Sequence, residues 1–139
     1  MLLPQTAEYA LRAIIHIAAC HERAPGGLVR VNDIATTLGV PKNYLAKTLN
    51  QLARAGVLAS TRGPTGGFRL AIPAARLTLE RVTRVFTAKH ARRCLLGTGP
   101  CDAERACAAH HRWAAIAAAR RTPLTTTTIA DLLTSASAA

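Results

Sequence analysis

The stretch Asp33–Gly56, DIATTLGVPKNYLAKTLNQLARAG, decides the fold. Behind Asn32, which can cap a helix, Ile34, Ala35 and Leu38 recur at helical spacing and predict a short helix over 33–38. Gly39 suits the left-handed position just past its end. Pro41 suits the first turn of a second helix, in which Leu45, Leu49 and Leu52 line one face until Gly56 closes it. Two helices joined by a glycine-containing turn form a helix-turn-helix. With the leucines turned inward, Lys42, Asn43, Ala46, Lys47 and Asn50 share the opposite face. Asn43 and Lys47 are the candidates for base edges, Lys42 for phosphate and Ala46 for close approach, with Asn50 on the same surface.

On the C-terminal side, VLASTRGPTGGFRLAIP (57–73) holds two strand-like runs, 57–61 and 68–72, around a Gly/Pro-rich tip. That is a hairpin. A basic hairpin directly after a helix-turn-helix is a wing, and Arg62 at its base with Arg69 on the returning strand are placed to enter a minor groove or clamp phosphates. GPTGG lacks the GK(S/T) ending of a nucleotide phosphate loop and no helix follows it, which excludes that reading. Thr78 is placed to cap another short helix to about Phe86, with Leu79, Val82 and Val85 or Phe86 inward. On the N-terminal side, Ala10, Ala13, Ile14, Ile17 and Ala18 predict a first helix from Thr6, its cap, to about His21. HERAPGGLV (21–29) then breaks into a loop or short strand.

Charge supports a polyanionic partner for this module. The 139 residues carry 18 Lys and Arg against 7 Asp and Glu, a formal charge of +11. Between Asp33 and Glu80 no acid occurs, while Lys42, Lys47, Arg54, Arg62, Arg69 and Arg76 fall inside the interval. Such a segment is the electrostatic footprint of a nucleic-acid binder. Half of the chain is apolar yet 4% is aromatic and 29 residues are alanine, so the core of a lone chain is thin and a partner subunit is expected. No stretch approaches the roughly 18 apolar residues of a membrane span, and MLLPQTAEYALR lacks the features of a signal peptide. The expectation is a cytoplasmic protein that does not engage a membrane.

KHARRCLLGTGPCDAERACAAHHRW (89–113) places Cys94, Cys101 and Cys107 at C-x6-C-x5-C spacing. Three cysteines cannot all pair, and a reducing compartment makes them ligands rather than disulfides. Thiolates suit zinc or an iron–sulfur cluster. The absence of paired CxxC knuckles favours a cluster held by the Gly/Pro-containing loop, and Lys89, Arg92, Arg93 and Arg105 would stabilise thiolates there. Cys20, alone at the end of the first helix, reads as a packing residue. Asp102 is expected to cap a helix from Ala103 to about Arg121, ended by Pro123, with Cys107, His110 and Trp113 on one face. Ala106, Ala109, Trp113, Ile116 and Ala117 form its stripe, and pairing of this helix with its twin, through Trp113 and Ile116, would make a two-fold dimer. TTTTIADLL (125–133) predicts a short helix packed back on that pair. The whole is mainly α with a small β-hairpin: a winged helix-turn-helix over 1–87, a cysteine-bearing loop over 88–102, and a long dimerisation helix with a short terminal helix over 103–139.

The first helix TAEYALRAIIHIA, the helix-turn-helix, the wing RGPTGGFRL and three late cysteines, in this order, resemble the Rrf2 (BadM-type) family of bacterial winged-helix transcription regulators. The similarity covers nearly the whole chain. It implies a homodimer on palindromic promoter DNA, here expected to be a repressor, and in members with these cysteines an iron–sulfur cluster whose state controls DNA affinity. Two branches differ in the fourth ligand. In the nitric-oxide-sensing repressors it is a carboxylate from the partner's first helix, and Glu8 stands in that place, followed by Arg12. In the cluster-assembly regulators it is a His three residues after the last Cys, and His110 stands there, with Trp113 after it. The first cysteine interval is longer than in either branch, which leaves open whether the cluster has two irons or four.

Three function classes follow. The first is a regulator whose cluster senses nitric oxide, redox state or iron–sulfur status. The second is a cluster-free or zinc-stabilised winged-helix regulator sensing a small molecule or thiol oxidation. An enzyme is not expected: seven acids offer no catalytic pair or Ser/His/Asp set, and Cys107 with His110 is the one nucleophile arrangement that spacing permits.

Overall fold

Methyl-sized side chains put α1 (Gln5–Arg23) at the centre of the molecule, because Ala7, Ala10 and Ala13 are fully buried and let neighbouring backbones approach. The computed structural model describes residues 3–87, 96, 104 and 106–137. Within them lie six helices and one two-stranded antiparallel hairpin. The helix-turn-helix is α2 (Val31–Leu38) and α3 (Lys42–Arg54), the wing is β1 (Leu58–Thr61) and β2 (Gly67–Leu70), and α4 (Leu79–Thr87) follows. Helices α5 (His110–Thr126) and α6 (Ile129–Ser137) complete the chain. Apart from α5 and β1, every element packs on α1. No described helix is long and apolar enough to cross a membrane.

The expected core forms. Leu45, Leu49 and Leu52 of α3 are fully buried beside Ile14, Ile17 and Ile34. Gly39 ends α2 at φ +65, the left-handed conformation a Cβ disfavours, and the Val40 amide returns to the Ala35 carbonyl. Thr78 caps α4, its hydroxyl accepting the Arg81 amide at 3.3 Å.

Two other caps differ from expectation. Helix α1 begins at Gln5 behind Pro4, whose carbonyl accepts the Ala7 and Glu8 amides, and Thr6 lies inside it. Helix α2 begins at Val31, so Asn32 lies inside as well, with Arg30 at the boundary and no side-chain cap. In both cases a preceding backbone carbonyl bonds the first-turn amides, leaving the polar side chain free for other use.

The hairpin pairs Leu58 with Leu70, Ser60 with Phe68 and Thr61 with Gly67, slightly shorter than the runs suggested by sequence. Val29 adds a third short edge through two hydrogen bonds with Phe68, at 2.8 and 2.9 Å. This closeness dictates two glycines. A Cβ at Gly67 would stand 2.6 Å from the Val29 carbonyl oxygen, and one at Gly66 would collide with the Thr61 carbonyl.

The C-terminal third departs furthest from the sequence reading. Helix α5 starts at His110 rather than Ala103, after a turn at 108–109. Ala103 and Arg105 lie outside the described residues, and Ala106 and Cys107, which the expected helix would include, are not helical. Pro123 does not stop α5 either. It deletes one ladder bond near the last turn, and Thr122, Thr125 and Thr126 donate their hydroxyls to carbonyls of Ala118 and Thr122 around it. Helix α6 sends Ile129 and Leu133 into the core against α1. Its start is a reciprocal cap: the Asp131 carboxylate accepts the Thr128 amide at 2.8 Å, and the Thr128 hydroxyl accepts the Asp131 amide at 3.2 Å.

These bonds from Thr128 hold the Asp131 carboxyl below its ordinary value of 3.8. A depressed acid stabilises the fold above its unfolded value and ceases to do so as pH falls through the lowered one. Thr128→Ala should lower the urea midpoint at neutral pH, and the gap in midpoint between parent and variant should narrow in strong acid.

Candidate nucleic-acid interface

Helix α3 divides cleanly. With Leu45, Thr48, Leu49 and Leu52 buried, Lys42, Asn43, Lys47 and Asn50 are all exposed and Ala46 is half-buried between them. Arg62 and Arg69 of the wing are exposed too. Among the described residues the ion pair found is Arg121 with Glu80 at 3.3 Å, on α5 and α4, so no described acid pairs with these wing and α3 cations. The face has donors for base edges and unpaired positive charge for phosphates.

The structure joins some of these residues and separates others. Asn50 and Arg62 line one groove of about 370 Å3 between the start of α2, the end of α3 and the wing. Arg69 lies elsewhere. Directly opposed residues share a face of a two-stranded ribbon, so Arg69 goes with Ala59, across the ribbon from Ser60 and Phe68. Arg30 and Asn32 line the same groove. The sequence suggests Asn32 only as a cap and does not single out Arg30, whose signal is a cation at a helix boundary.

A second cluster fixes α3 to α1. The Tyr44 hydroxyl, on α3, is 2.6 Å from the Thr6 hydroxyl, and the Tyr44 ring meets Tyr9 edge-on at 5.9 Å between centroids. Gln5 donates to the Tyr9 hydroxyl at 3.2 Å, and the Arg12 guanidinium sits 5.9 Å above the Tyr9 ring. Thr6, expected as a cap, thus serves as an inter-helix hydrogen-bond partner. On the far side of α3, the Arg81 guanidinium donates to the Ala55 carbonyl at 3.2 Å.

Of the expected metal ligands, Cys94 and Cys101 lie outside the described residues, as do Asp102, Lys89, Arg92, Arg93 and Arg105. Cys107 is half-buried in the turn ahead of α5, its carbonyl accepting the His110 amide at 2.9 Å. It therefore does not share a helical face with His110 and Trp113, because the helix starts three residues later than that reading requires. That backbone bond puts Cys107 and His110 in one turn, a thiol and an imidazole of the right chemistry for a soft metal centre. Glu8 is exposed in the first turn of α1. Among the described residues no three His, Cys, Asp or Glu converge. Cys20 has company: His16 Nε2 and an Arg23 nitrogen each lie 3.6 Å from its sulfur.

Helix α5 has no buried residue. Trp113 is half-buried, and Ile116, at 48% exposed, is one of three large apolar side chains left in the open among the described residues. With Leu3, Thr83, Arg84 and Leu124 they border a second groove, of about 410 Å3, between α4 and α5.

Comparison with known proteins agrees with this architecture. A family model described as Rrf2, iron-dependent transcriptional regulator, matches residues 3–135. A chain of Aquifex aeolicus (strain VF5), named as an HTH-type transcriptional regulator, is 33% identical over 136 residues, 96% of this chain and 92% of that one. Among solved structures, CymR (YrzC), the global cysteine regulator of B. subtilis, superposes with a TM-score of 0.75 at 25% identity over 95% of each chain. IscR of T. potens shares the fold, with a TM-score of 0.75 at 22% identity over 96% of this chain and 87% of that one.

The Tyr44–Thr6 bond can be tested by itself. Tyr44→Phe keeps the ring pair and removes the hydroxyl, and should cost about 0.5–1.5 kcal/mol in urea unfolding. Tyr44→Ala also removes the edge-on ring pair and should cost about 0.5–1.5 kcal/mol more.

Proposed function

The chain belongs to the Rrf2 family of transcriptional regulators, and on that footing we propose that it is a homodimeric promoter-binding repressor whose DNA affinity depends on an iron–sulfur cluster. The observation that supports DNA binding most directly is the division of α3: its leucines are buried, while Lys42, Asn43, Lys47 and Asn50 remain exposed beside a wing whose cations pair with no acid among the described residues. In this reading Asn43 and Lys47 meet base edges, and Lys42, Asn50, Arg62 and Arg69 hold the backbone. The winged module spans 1–87, the cysteine segment 88–102 and the dimerisation element 103–139.

Cys94, Cys101 and Cys107 would hold the cluster, with Glu8 of the partner subunit or His110 as the fourth ligand. What supports this is the three-cysteine spacing, the exposure of Glu8, the adjacency of Cys107 and His110, and a family description that includes iron dependence. When bound, such a cluster supplies an inorganic centre reactive toward nitric oxide and oxidants. The chain's part is mechanical. Cys107 stands at the entrance to α5, α5 leans on α4, and Thr6, Tyr9 and Tyr44 connect the start of α1 to α3. A shift of either ligating segment therefore has a path to the recognition helix. A coupling of about 1–3 kcal/mol between the two states would change DNA affinity by about 5–150-fold.

Anaerobically purified protein should be coloured, with iron and sulfide present, and a Cys94→Ala, Cys101→Ala, Cys107→Ala triple variant should lose the colour and its redox-dependent retardation of promoter DNA. A colourless protein that takes up zinc but never iron and sulfide defeats the cluster reading. The second reading, a cluster-free or zinc-stabilised regulator responding to thiol oxidation or a small molecule, draws support from the likeness to a cysteine regulator and from His16 and Arg23 around Cys20. Unchanged DNA binding in the triple variant favours it.

Dimerisation is assigned to α5, none of whose residues is fully buried within its own chain and which presents Trp113 and Ile116. Ile116→Asp should shift the protein to monomer in analytical ultracentrifugation and lower operator affinity by at least tenfold, since it places a charge in the centre of an apolar contact.

A further inference from the structure

The groove between the wing and the start of α2 is lined largely by polar and basic side chains. Arg30, Asn32, Asn50, Ser60, Thr61 and Arg62 contribute to its lining, and no acid among the described residues does. Two cations, two amides and two hydroxyls converge on one open space of about 370 Å3. Neither Arg30 nor Arg62 has an acidic partner among the described residues. The uncapped first turn of α2 opens onto the same space through Val31 and Asn32.

The groove is also built rigidly. Its wing-side wall includes Gly66 and Gly67, where the backbone comes so close to Thr61 and Val29 that a side chain would not fit. The Val29–Phe68 bridge ties that wall to the strand-like residue just before Arg30. Arg30 and Arg62 therefore stand on two segments locked together by hydrogen bonds, and their spacing does not depend on a flexible loop alone.

We propose that this groove seats the sugar–phosphate backbone of one DNA strand, with Arg30, Asn32 and Arg62 as its phosphate ligands and Ser60 and Thr61 as supporting hydroxyl donors. The inference rests on the DNA-binding reading above and adds residues to it that lie off α3. Asn50 is the link, since it belongs both to the exposed face of α3 and to the groove lining, so the groove continues the surface that would face the duplex. The consequence is a division of labour. Groove residues set affinity for any DNA sequence, and Asn43 with Lys47 sets preference among sequences.

Sequence-independent binding makes the test possible without knowing the operator. Anisotropy of a labelled duplex of mixed sequence is titrated with the full-length protein across a series of potassium chloride concentrations. For every phosphate that a variant no longer neutralises, the slope of log affinity against log salt becomes shallower by about 0.9. Arg30→Ala should reduce the slope by about that amount, an Arg30→Ala, Arg62→Ala double variant by about twice as much, and Arg30→Lys should largely restore it. A urea midpoint unchanged from the parent in each variant distinguishes removal of a DNA ligand from damage to the fold. Asn32→Asp, which puts a negative charge in the groove without altering size, should weaken binding at least tenfold. Parent-like slopes in Arg30→Ala and in the double variant, with the parent binding DNA, overturn the groove assignment and leave the DNA reading standing. Failure of the parent itself to bind any duplex at low salt overturns both.

Discussion

The alanine face of α1 is the constraint on which the rest of the structure depends. Ala7, Ala10, Ala13 and Ala18 are buried with two isoleucines, and the remaining elements except α5 and β1 lean on that helix. A methyl group removes little apolar area from water, at about 25 cal/mol per Å2, so these contacts gain less by transfer than leucines would. What they permit is close approach of many backbones to one axis. The chain can then form a core with few large side chains, the bulk coming from α3 and the isoleucines of α1 and α2. Substitution by anything larger along that face would displace several elements at once.

Because α1 is shared, its two ends are near different parts of the proposed machinery. Its first turn holds Glu8 and bonds to α3 through Thr6 and Tyr44, and beyond its last turn the chain runs into Val29, which is paired with the wing. A tilt of α1 relative to its neighbours would act on recognition helix and wing together. The polar contacts at Thr6, Tyr9 and Tyr44 are partly exposed, so each contributes modestly; their importance lies in geometry.

Most of the fold is legible in the sequence because its signals are local and strong. Leucines at positions 45, 49 and 52, Gly39 in a left-handed turn, and a glycine-rich tip between two short runs each permit few alternatives. Capping is less legible. Thr6 and Asn32 have cap chemistry, yet backbone carbonyls of Pro4 and Arg30 take that role, and only tertiary contact shows that Thr6 is needed for Tyr44. The reciprocal cap, Thr128 with Asp131, is hidden within TTTTIADLL by three neighbouring threonines of equal cap chemistry. The end of α5 departs from expectation because the proline rule describes a helix in isolation, whereas here threonine hydroxyls bond the carbonyls around Pro123. Arg30 gains meaning only beside Arg62, thirty-two positions away and across a groove, which no local pattern discloses.

The bridge between Thr78 and Thr128 has a topological meaning. Leu79 donates to the Thr127 carbonyl and Ile129 to the Leu77 carbonyl, so the chain re-enters the core beside the point where α4 departs. The chain leaving at Leu79 and returning at Thr128 is therefore closed into a loop at these two points. Doubling the length of a segment closed in this way costs only about 0.6 kcal/mol of closure entropy. A change in the length of chain between Leu79 and Thr128 therefore costs the closed loop little, and the bridge fixes where α6 enters the core whatever the distance along the chain.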